Sequence, residues 1–236
     1  MLVHLSLRAG DRVTKHFMKT YLEQIGRFLL VLLAVQIGRG LIITGLWRLL
    51  QPAGDSPLWA YMDMVAFGVI GLSLLILYRP SADQLGLDWR TAPRWELVAY
   101  ILLGTLTMVL VLSTYFLQPD LLPININAAI VVPVFEEILF RGWGWHQLER
   151  TQTAKGSGFI HWLVISLLFG LWHFGYLDIY LLKVAPANPG MDWGVFFLMK
   201  FLTTFVIGLL VGLPRWRSGR VYGSIILHSL INIFGR

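Results

Sequence analysis

The 236-residue sequence contains no cysteine, and charged residues make up only 14% of it. The absence of cysteine excludes a disulfide scaffold, a cysteine nucleophile and a thiolate metal site. A soluble domain would carry roughly a quarter charged residues, whereas this chain is 56% hydrophobic with a mean hydropathy of +0.67. The scarcity of charge therefore excludes a water-soluble globule and a disordered chain, and it predicts a protein embedded in a lipid bilayer.

Apolar runs of about 20 residues recur along the chain, and each is long enough to cross a hydrocarbon layer of ~30 Å. They predict an all-α fold, a polytopic integral-membrane helical bundle. The predicted domains are a basic cytoplasmic N-terminal segment, residues 1–27, and a transmembrane helical domain, residues 28–236. We predict about seven transmembrane helices, at residues 28–47, 59–78, 96–117, 124–148, 159–177, 193–213 and 220–234.

The positions of Lys and Arg predict how these helices are oriented. Thirteen of them fall in the N-terminal segment and one set of connections, while the opposite set holds three, Arg48, Lys183 and Arg236. Because cytoplasmic loops carry the excess of positive charge, the N-terminus is predicted to be cytoplasmic and the C-terminus to lie outside. The same distribution explains the net charge of +6 without a nucleic acid partner. No eukaryote-type targeting element is found, so a prokaryotic cytoplasmic membrane is the expected location.

Two charged residues lie inside the first two predicted spans. Arg39 and Asp63 fall at similar depths on adjacent antiparallel helices when counted at about 1.5 Å per residue. Charges at membrane depth need a physical reason. The favoured interpretation is a structural ion pair between the two helices, and the alternative is a contact with substrate.

A larger polar cluster is predicted from the fourth, fifth and seventh spans. Counting about 1.5 Å per residue places its members in one slab, roughly 12–21 Å from the cytoplasmic end. Ionisable residues at membrane depth are rare and are usually functional, so we take this cluster as the candidate catalytic site. Its residues are Glu136, Glu137, Arg141, His173, His228 and Asn232.

The spacing within each helix suggests separate roles. Glu137 and Arg141 are four residues apart, so an ion pair within the helix is predicted. Glu136 points about 100° away from that pair, which makes it the better candidate for a carboxylate that accepts a proton. His228 and Asn232 are also four residues apart and are predicted to form one polar patch.

Three further residues affect packing around the site, and simple packing is the favoured interpretation of the glycine and an open alternative for Phe169. Phe169 shares a helix face with His173 and is expected to pack beside the imidazole. Pro133 lies three residues before Glu136 and is expected to kink the helix and open room for water. Gly208 in the sixth span allows close approach of a neighbouring helix.

Such a cluster can activate water for attack on a carbonyl. A carboxylate can accept the proton of the water, and an imidazole with an amide can donate hydrogen bonds to the resulting oxyanion. Alternatively, Glu136, His173 and His228 can bind a divalent metal such as zinc, with water in the open position. The residue pattern alone leaves both mechanisms open.

The same residues form three motifs. The stretch Pro133 to Gly142, PVFEEILFRG, contains EExxxR, Phe169 to His173 fits FxxxH, and His228 to Asn232 fits HxxxN. In this order and on separate helices, the motifs resemble those of the CPBP intramembrane proteases, the CAAX proteases and bacteriocin-processing enzymes also called the ABI family. The resemblance covers about residues 85–236, and the first two spans carry no signature.

This resemblance implies an intramembrane endopeptidase, similar to the type II CAAX prenyl endopeptidases, acting on a membrane-associated or lipidated peptide or protein. It implies that Glu136 and His173 activate water and that His228 and Asn232 stabilise the oxyanion. It also implies that Glu137 and Arg141 hold the site in place. Glutamate-activated water is favoured, so no cofactor is assigned with certainty. A divalent metal such as zinc remains the alternative.

Two other functions fit the same motifs. One is a non-proteolytic membrane partner, such as a bacteriocin immunity or export accessory protein that retains the fold. The other is a proton-coupled transporter that uses the carboxylates and imidazoles as a relay. The sequence shows no repeated halves with matching interrupted helices, which many transporters have, and this counts against the transporter.

Overall fold

The computed structural model describes residues 2–54, 56–151 and 157–235, with side chains described from residue 18 onward except at position 157. Within these ranges the chain is helical and contains no strand, which confirms the predicted all-α class. Among the described residues, six helices are long and apolar enough to cross a membrane. The protein is therefore a multi-pass helical membrane protein.

In the part of the chain that the structure describes, seven main helical segments follow one another. They are α1 (Leu2–Leu50), α2 (Leu58–Tyr78), α3 (Arg94–Leu117), α4 (Pro119–Glu149), α5 (Ser157–Trp172), α6 (Trp193–Ser218) and α7 (Tyr222–Phe234). Beyond α5, helical structure continues through a tight 3₁₀ turn at His173–Gly175 and further short pieces to Ala187. Because α7 has only 13 residues, the count of seven crossings stays a prediction, as does the orientation of the N-terminus.

Two helices extend further than their predicted spans. α1 begins at Leu2, so helical structure also runs through the segment predicted to precede the first span. The helical continuation of α5 reaches Ala187, whereas the predicted span ends at 177, before the charged residue Asp178. Asp178 is paired with a buried arginine of α1, and this neutralisation allows helical structure to continue past it.

α4 departs from regular α-helical geometry around its glutamates. Wider π-helical turns at Asn127–Val131 and Ile138–Gly144 flank the α-helical stretch Val132–Glu137. A proline inside a helix lacks an N–H and clashes with the preceding turn, and the first wide turn directly precedes Pro133. The structure thus has a widened turn where a kink was predicted, and such turns are frequent at functional sites.

Aromatic side chains join α1, α4 and α5 in the core. Phe140 is completely buried and packs edge-to-face against Phe28, Phe169 and Trp172, with ring centroids 5.2–5.8 Å apart. Edge-to-face contacts of this kind stabilise the packing beyond simple burial. This core lies directly beside the polar cluster, because Phe140 is four residues beyond Glu136 on the same helix.

Candidate active site

Three helical segments bring the predicted site residues together inside the bundle. α4 supplies both glutamates and the arginine, the 3₁₀ turn after α5 supplies the first histidine, and α7 supplies the second histidine and the asparagine. Charged groups removed from water need partners inside the protein. The members that are at most 7% exposed are Glu136, Glu137, Arg141, His173 and His228, and Asn232 is half-buried.

Glu137 and Arg141 tie α4 to two neighbouring helices. Arg141 Nη1 donates to Glu137 Oε1 at 3.0 Å, which confirms the predicted ion pair. The same carboxylate oxygen accepts a hydrogen bond from His228 Nδ1 at 2.9 Å, and Arg141 Nη2 donates to the Gly208 carbonyl at 2.8 Å. The pair therefore links α4 both to α7 and to α6.

α6 approaches α5 closely at Gly208, as predicted. A Cβ atom at this position would lie 3.2 Å from both the Phe169 ring and the Ser166 carbonyl oxygen. The guanidinium of Arg141 also lies over the Phe169 ring, 4.4 Å from its centroid. The absence of a side chain on Gly208 thus lets its carbonyl reach the buried arginine.

Glu136 uses its two carboxylate oxygens differently. Oε1 accepts hydrogen bonds from Trp172 Nε1 and from the Tyr176 hydroxyl, both at 2.9 Å. Oε2 lies 4.0 Å from His228 Nε2 and accepts no hydrogen bond from any residue that the structure describes. Glu136 is therefore separate from the arginine pair, as predicted, and one of its oxygens is held while the other faces an imidazole.

The two histidines are both anchored through Nδ1. His173 Nδ1 donates to the Phe169 carbonyl at 2.8 Å, and His228 Nδ1 donates to Glu137. Because carbonyl and carboxylate oxygens only accept hydrogen bonds, the hydrogen must be on Nδ1 in each ring. Nε2 is then the ring atom available for chemistry. The Phe169 ring lies edge-on to His173 with centroids 5.0 Å apart, which confirms the predicted contact.

Asn232 binds the backbone of α4. Its Nδ2 donates to the Ala128 carbonyl at 2.7 Å, within the first π-helical stretch. His228 and Asn232 therefore both contact α4, at points about one helical turn apart on α7. This contact does not test the role in oxyanion binding that the resemblance implies for Asn232.

The two histidines meet one condition for binding a metal ion. Metal-binding histidines have the second ring nitrogen held by a hydrogen bond, and both histidines here meet that condition. However, the described ranges contain no group of three or more His, Asp, Glu or Cys residues placed to hold a metal ion. Metal binding by Glu136, His173 and His228 therefore stays a prediction.

The site also includes residues that sequence reasoning missed. Trp172 and Tyr176 bind Glu136, and Lys200 of α6 lies with its Nζ 5.9 Å from the centroid of the Tyr176 ring. Lys200 could have been noticed as a lone cation inside an apolar span. Trp172 and Tyr176 give no such signal, because aromatic residues are common in membrane helices.

The predicted ion pair of α1 and α2 belongs to a wider network beside the site. Arg39 is completely buried, and its Nη1 lies 3.4 Å from Asp63 Oδ1, so the predicted pairing is confirmed. A shorter contact, 2.5 Å, joins Arg39 Nη2 to Asp178 Oδ1. The second carboxylate was not predicted, because Asp178 was placed outside the span.

An apolar groove lies on another face of α4. It has a volume of about 490 Å³ and lies between α2, α4 and the connection after α2, with Phe67, Gly71, Val134 and Trp143 among its lining residues. None of the predicted site residues lines it. The polar cluster and this groove therefore occupy separate sides of the same helix.

Comparison with known proteins finds a family match in the C-terminal half of the chain. Residues 118–234 match the family model described as Type II CAAX prenyl endopeptidase Rce1-like, in agreement with the resemblance of the motifs. The matched range contains every predicted site residue and begins next to α4. No significant match occurs among curated proteins or among solved structures.

Proposed function

This chain belongs to the Rce1-like family of type II CAAX prenyl endopeptidases, and we propose that it is an intramembrane endopeptidase using glutamate-activated water. At family level the match supports a CAAX-type intramembrane protease. The observation that carries the proposed mechanism is the separation of 4.0 Å between Glu136 Oε2 and His228 Nε2. One water molecule could hydrogen-bond to both atoms at this separation.

Glu136 would act as the general base and then as the general acid. Its carboxylate takes a proton from the water while the water oxygen attacks the carbonyl carbon of the scissile peptide bond. The carbonyl electron pair moves to oxygen and forms a tetrahedral oxyanion. Glu136 then gives its proton to the amide nitrogen as the C–N bond breaks, leaving a carboxylic acid product and an amine.

The oxyanion would be stabilised by His228. When Nε2 is protonated, this imidazole can donate a hydrogen bond to the developing negative charge. Glu137 accepts from His228 Nδ1, and this hydrogen bond fixes the orientation of the ring. Arg141 holds Glu137 in place through their ion pair.

The position of the site supports a membrane-associated or lipidated peptide as substrate. Glu136 and His228 lie within helices that present large apolar side chains to their surroundings, including Val134 of α4 and Phe234 of α7. A peptide that came directly from water would have to give up its hydrogen bonds to water before it reached such a site. Entry from the bilayer or its surface is therefore more favourable. We therefore favour a substrate that is already held at the membrane.

The proposal is tested by comparing membranes that contain the wild-type protein or Glu136→Gln in a strain lacking the gene. Quantitative analysis of protein termini should find one or more cleaved membrane peptides with wild type, and the same peptides uncut with Glu136→Gln. Glu23→Gln, an exposed glutamate of α1, is the matched control and should behave like wild type. Identical termini with Glu136→Gln and wild type would favour the non-proteolytic partner and reject proteolysis.

A further inference from the structure

Both hydrogen-bond donors to Glu136 come from the end of α5, and both are in contact with α1. Trp172 is the last residue of α5, and Tyr176 directly follows the 3₁₀ turn. Neither a helix end nor a short turn holds a side chain rigidly by itself, because its backbone hydrogen bonds are incomplete. Something else must fix these two donors, and residues 36 and 39 of α1 lie against them.

Gln36 fixes the backbone of Trp172. Its Nε2 donates to the Trp172 carbonyl at 2.8 Å, and the side chain is buried at 8% exposure. Gly175 makes room for this contact, since a Cβ there would lie 2.5 Å from Gln36 Cδ. The side-chain amide of Gln36 therefore occupies space just after α5 that the side chain of any residue other than glycine at position 175 would fill.

Arg39 fixes the ring of Tyr176. Its guanidinium lies over that ring, 4.1 Å from the centroid, and the His173 imidazole stacks on the ring with centroids 5.2 Å apart. The guanidinium is itself held by Asp63 and Asp178. Arginine combines a planar charge with several donors, so it can bind carboxylates and an aromatic face at the same time.

The two contacts form one connected unit. Arg39 Nε donates to Gln36 Oε1 at 3.1 Å, while the other end of the same amide holds Trp172. Gln36 and Arg39 thus support both donors that bind Glu136 Oε1. With Oε1 held at two points, rotation of the carboxylate is restricted and Oε2 stays directed toward His228.

We propose that Gln36 and Arg39 are positioning residues that act on the catalytic carboxylate through Trp172 and Tyr176. This inference rests on the proposed function of Glu136. Both residues lie in α1, outside residues 118–234 that match the family. The working site of this protein therefore extends beyond the matched region into its first helix.

The inference predicts a specific pattern in the kinetics. Misplacing a catalytic group slows the chemical step and leaves substrate binding largely intact, so kcat should fall while KM stays within about twofold. Loss of one orienting hydrogen bond corresponds to about a tenfold change. Gln36→Met, Arg39→Lys and Tyr176→Phe should each lower kcat by about tenfold.

A double-mutant cycle distinguishes positioning from general destabilisation. The probe is a quenched fluorescent peptide carrying a farnesyl-cysteine, cleaved by full-length protein in liposomes. If Arg39 acts through the Tyr176 hydroxyl, Arg39→Lys should have little further effect on kcat once Tyr176→Phe is present. Independent effects would multiply instead. Arg48→Lys, an exposed arginine of the same helix, is the control and should match wild type.

The outcomes separate this inference from the proposed function. Cleavage by wild type and Arg48→Lys but not by Glu136→Gln supports the proposed function. If the effects of Arg39→Lys and Tyr176→Phe on kcat then multiply in the double variant, only the role of Arg39 is overturned. Wild-type kcat in Gln36→Met or Arg39→Lys overturns the inference as well. Cleavage by Glu136→Gln would overturn the function itself. If Arg39→Lys does not fold, Gly175→Ala displaces Gln36 without altering any charge and should give the same loss of kcat.

Discussion

Glu136, His173 and His228 are each held by one atom and keep a second atom for chemistry. Glu136 is bound at Oε1, and each imidazole is bound at Nδ1. A carboxylate or imidazole fixed in this way keeps its orientation without losing its ability to exchange a proton. The supporting contacts are as much a part of the proposed mechanism as the reactive atoms.

The buried pair of Glu137 and Arg141 is the feature most open to a stability measurement. Arg141→Met leaves a completely buried carboxylate without its arginine, and breaking such a pair typically costs about 3–5 kcal/mol. The expected loss in unfolding free energy is measured by denaturant titration in mixed micelles. The double variant Glu137→Gln/Arg141→Met should recover a large part of it, because no unpaired charge then remains buried.

Arg90 offers a matched control for that measurement, since its side chain is exposed on the connection after α2. Arg90→Met should change the unfolding free energy by about 0.5 kcal/mol or less. Equal stability of Arg141→Met and Arg90→Met would show that the ion pair does not support the fold.

The ion pair within α4 could be predicted from the sequence, and so could the Arg39–Asp63 pair, which was predicted from matching depths, whereas the hydrogen bonds from the end of α5 to Glu136 could not. The spacing of Glu137 and Arg141 fixes their proximity once the segment is helical. The bonds from Trp172 and Tyr176 to Glu136 cross between α5 and α4, and their formation depends on how the two helices rotate against each other. A single sequence does not contain that rotation.

At the level of elements, α4 depends on close packing against the connection that follows α2. A Cβ on Gly142 would lie 2.8 Å from the carbonyl oxygen of Leu85, and backbone cannot move aside as a flexible side chain can. Gly142 directly follows Arg141, so a shift of this contact would be transmitted to the buried ion pair. The glycine after the EExxxR motif is therefore required by packing.

Gly142→Ala should consequently destabilise the protein by about 1–3 kcal/mol through overpacking. Gly104→Ala in α3 is the control, because no atom lies within 4 Å of its added Cβ. Alanine is the better helix former by about 1 kcal/mol, so this control should be neutral or stabilising. Thermal unfolding in detergent compares the two variants. If Gly142→Ala and Gly104→Ala change the stability equally, the packing argument is rejected.

The end of the fifth span illustrates why element boundaries are hard to predict here. A charged residue normally marks the end of an apolar span, and the predicted fifth span accordingly ends at residue 177, just before Asp178. In the structure Arg39 of α1 neutralises it, and helical structure continues to Ala187. The partner lies 139 residues away in the sequence, so local composition gives no indication of it.

At the scale of the whole molecule, the distribution of positive charge makes a prediction about orientation. The absence of cysteine allows a direct test, because any introduced cysteine is the only thiol in the chain. Ala82 and Gly190 are exposed in the connections after α2 and before α6. They are predicted to lie on opposite sides of the membrane, with Ala82 on the cytoplasmic side.

In intact cells, a membrane-impermeant maleimide should label Gly190→Cys at once and Ala82→Cys only after permeabilisation. The reverse pattern would invert the predicted orientation.

Phe234→Cys, exposed at the end of α7, extends the test to the number of crossings. The 13 residues of α7 rise only about 20 Å, so this helix needs local thinning of the bilayer to complete a crossing. Labelling from the same side as Gly190 would establish the seventh crossing, whereas labelling from the side of Ala82 would show that α7 turns back and presents His228 from a re-entrant helix.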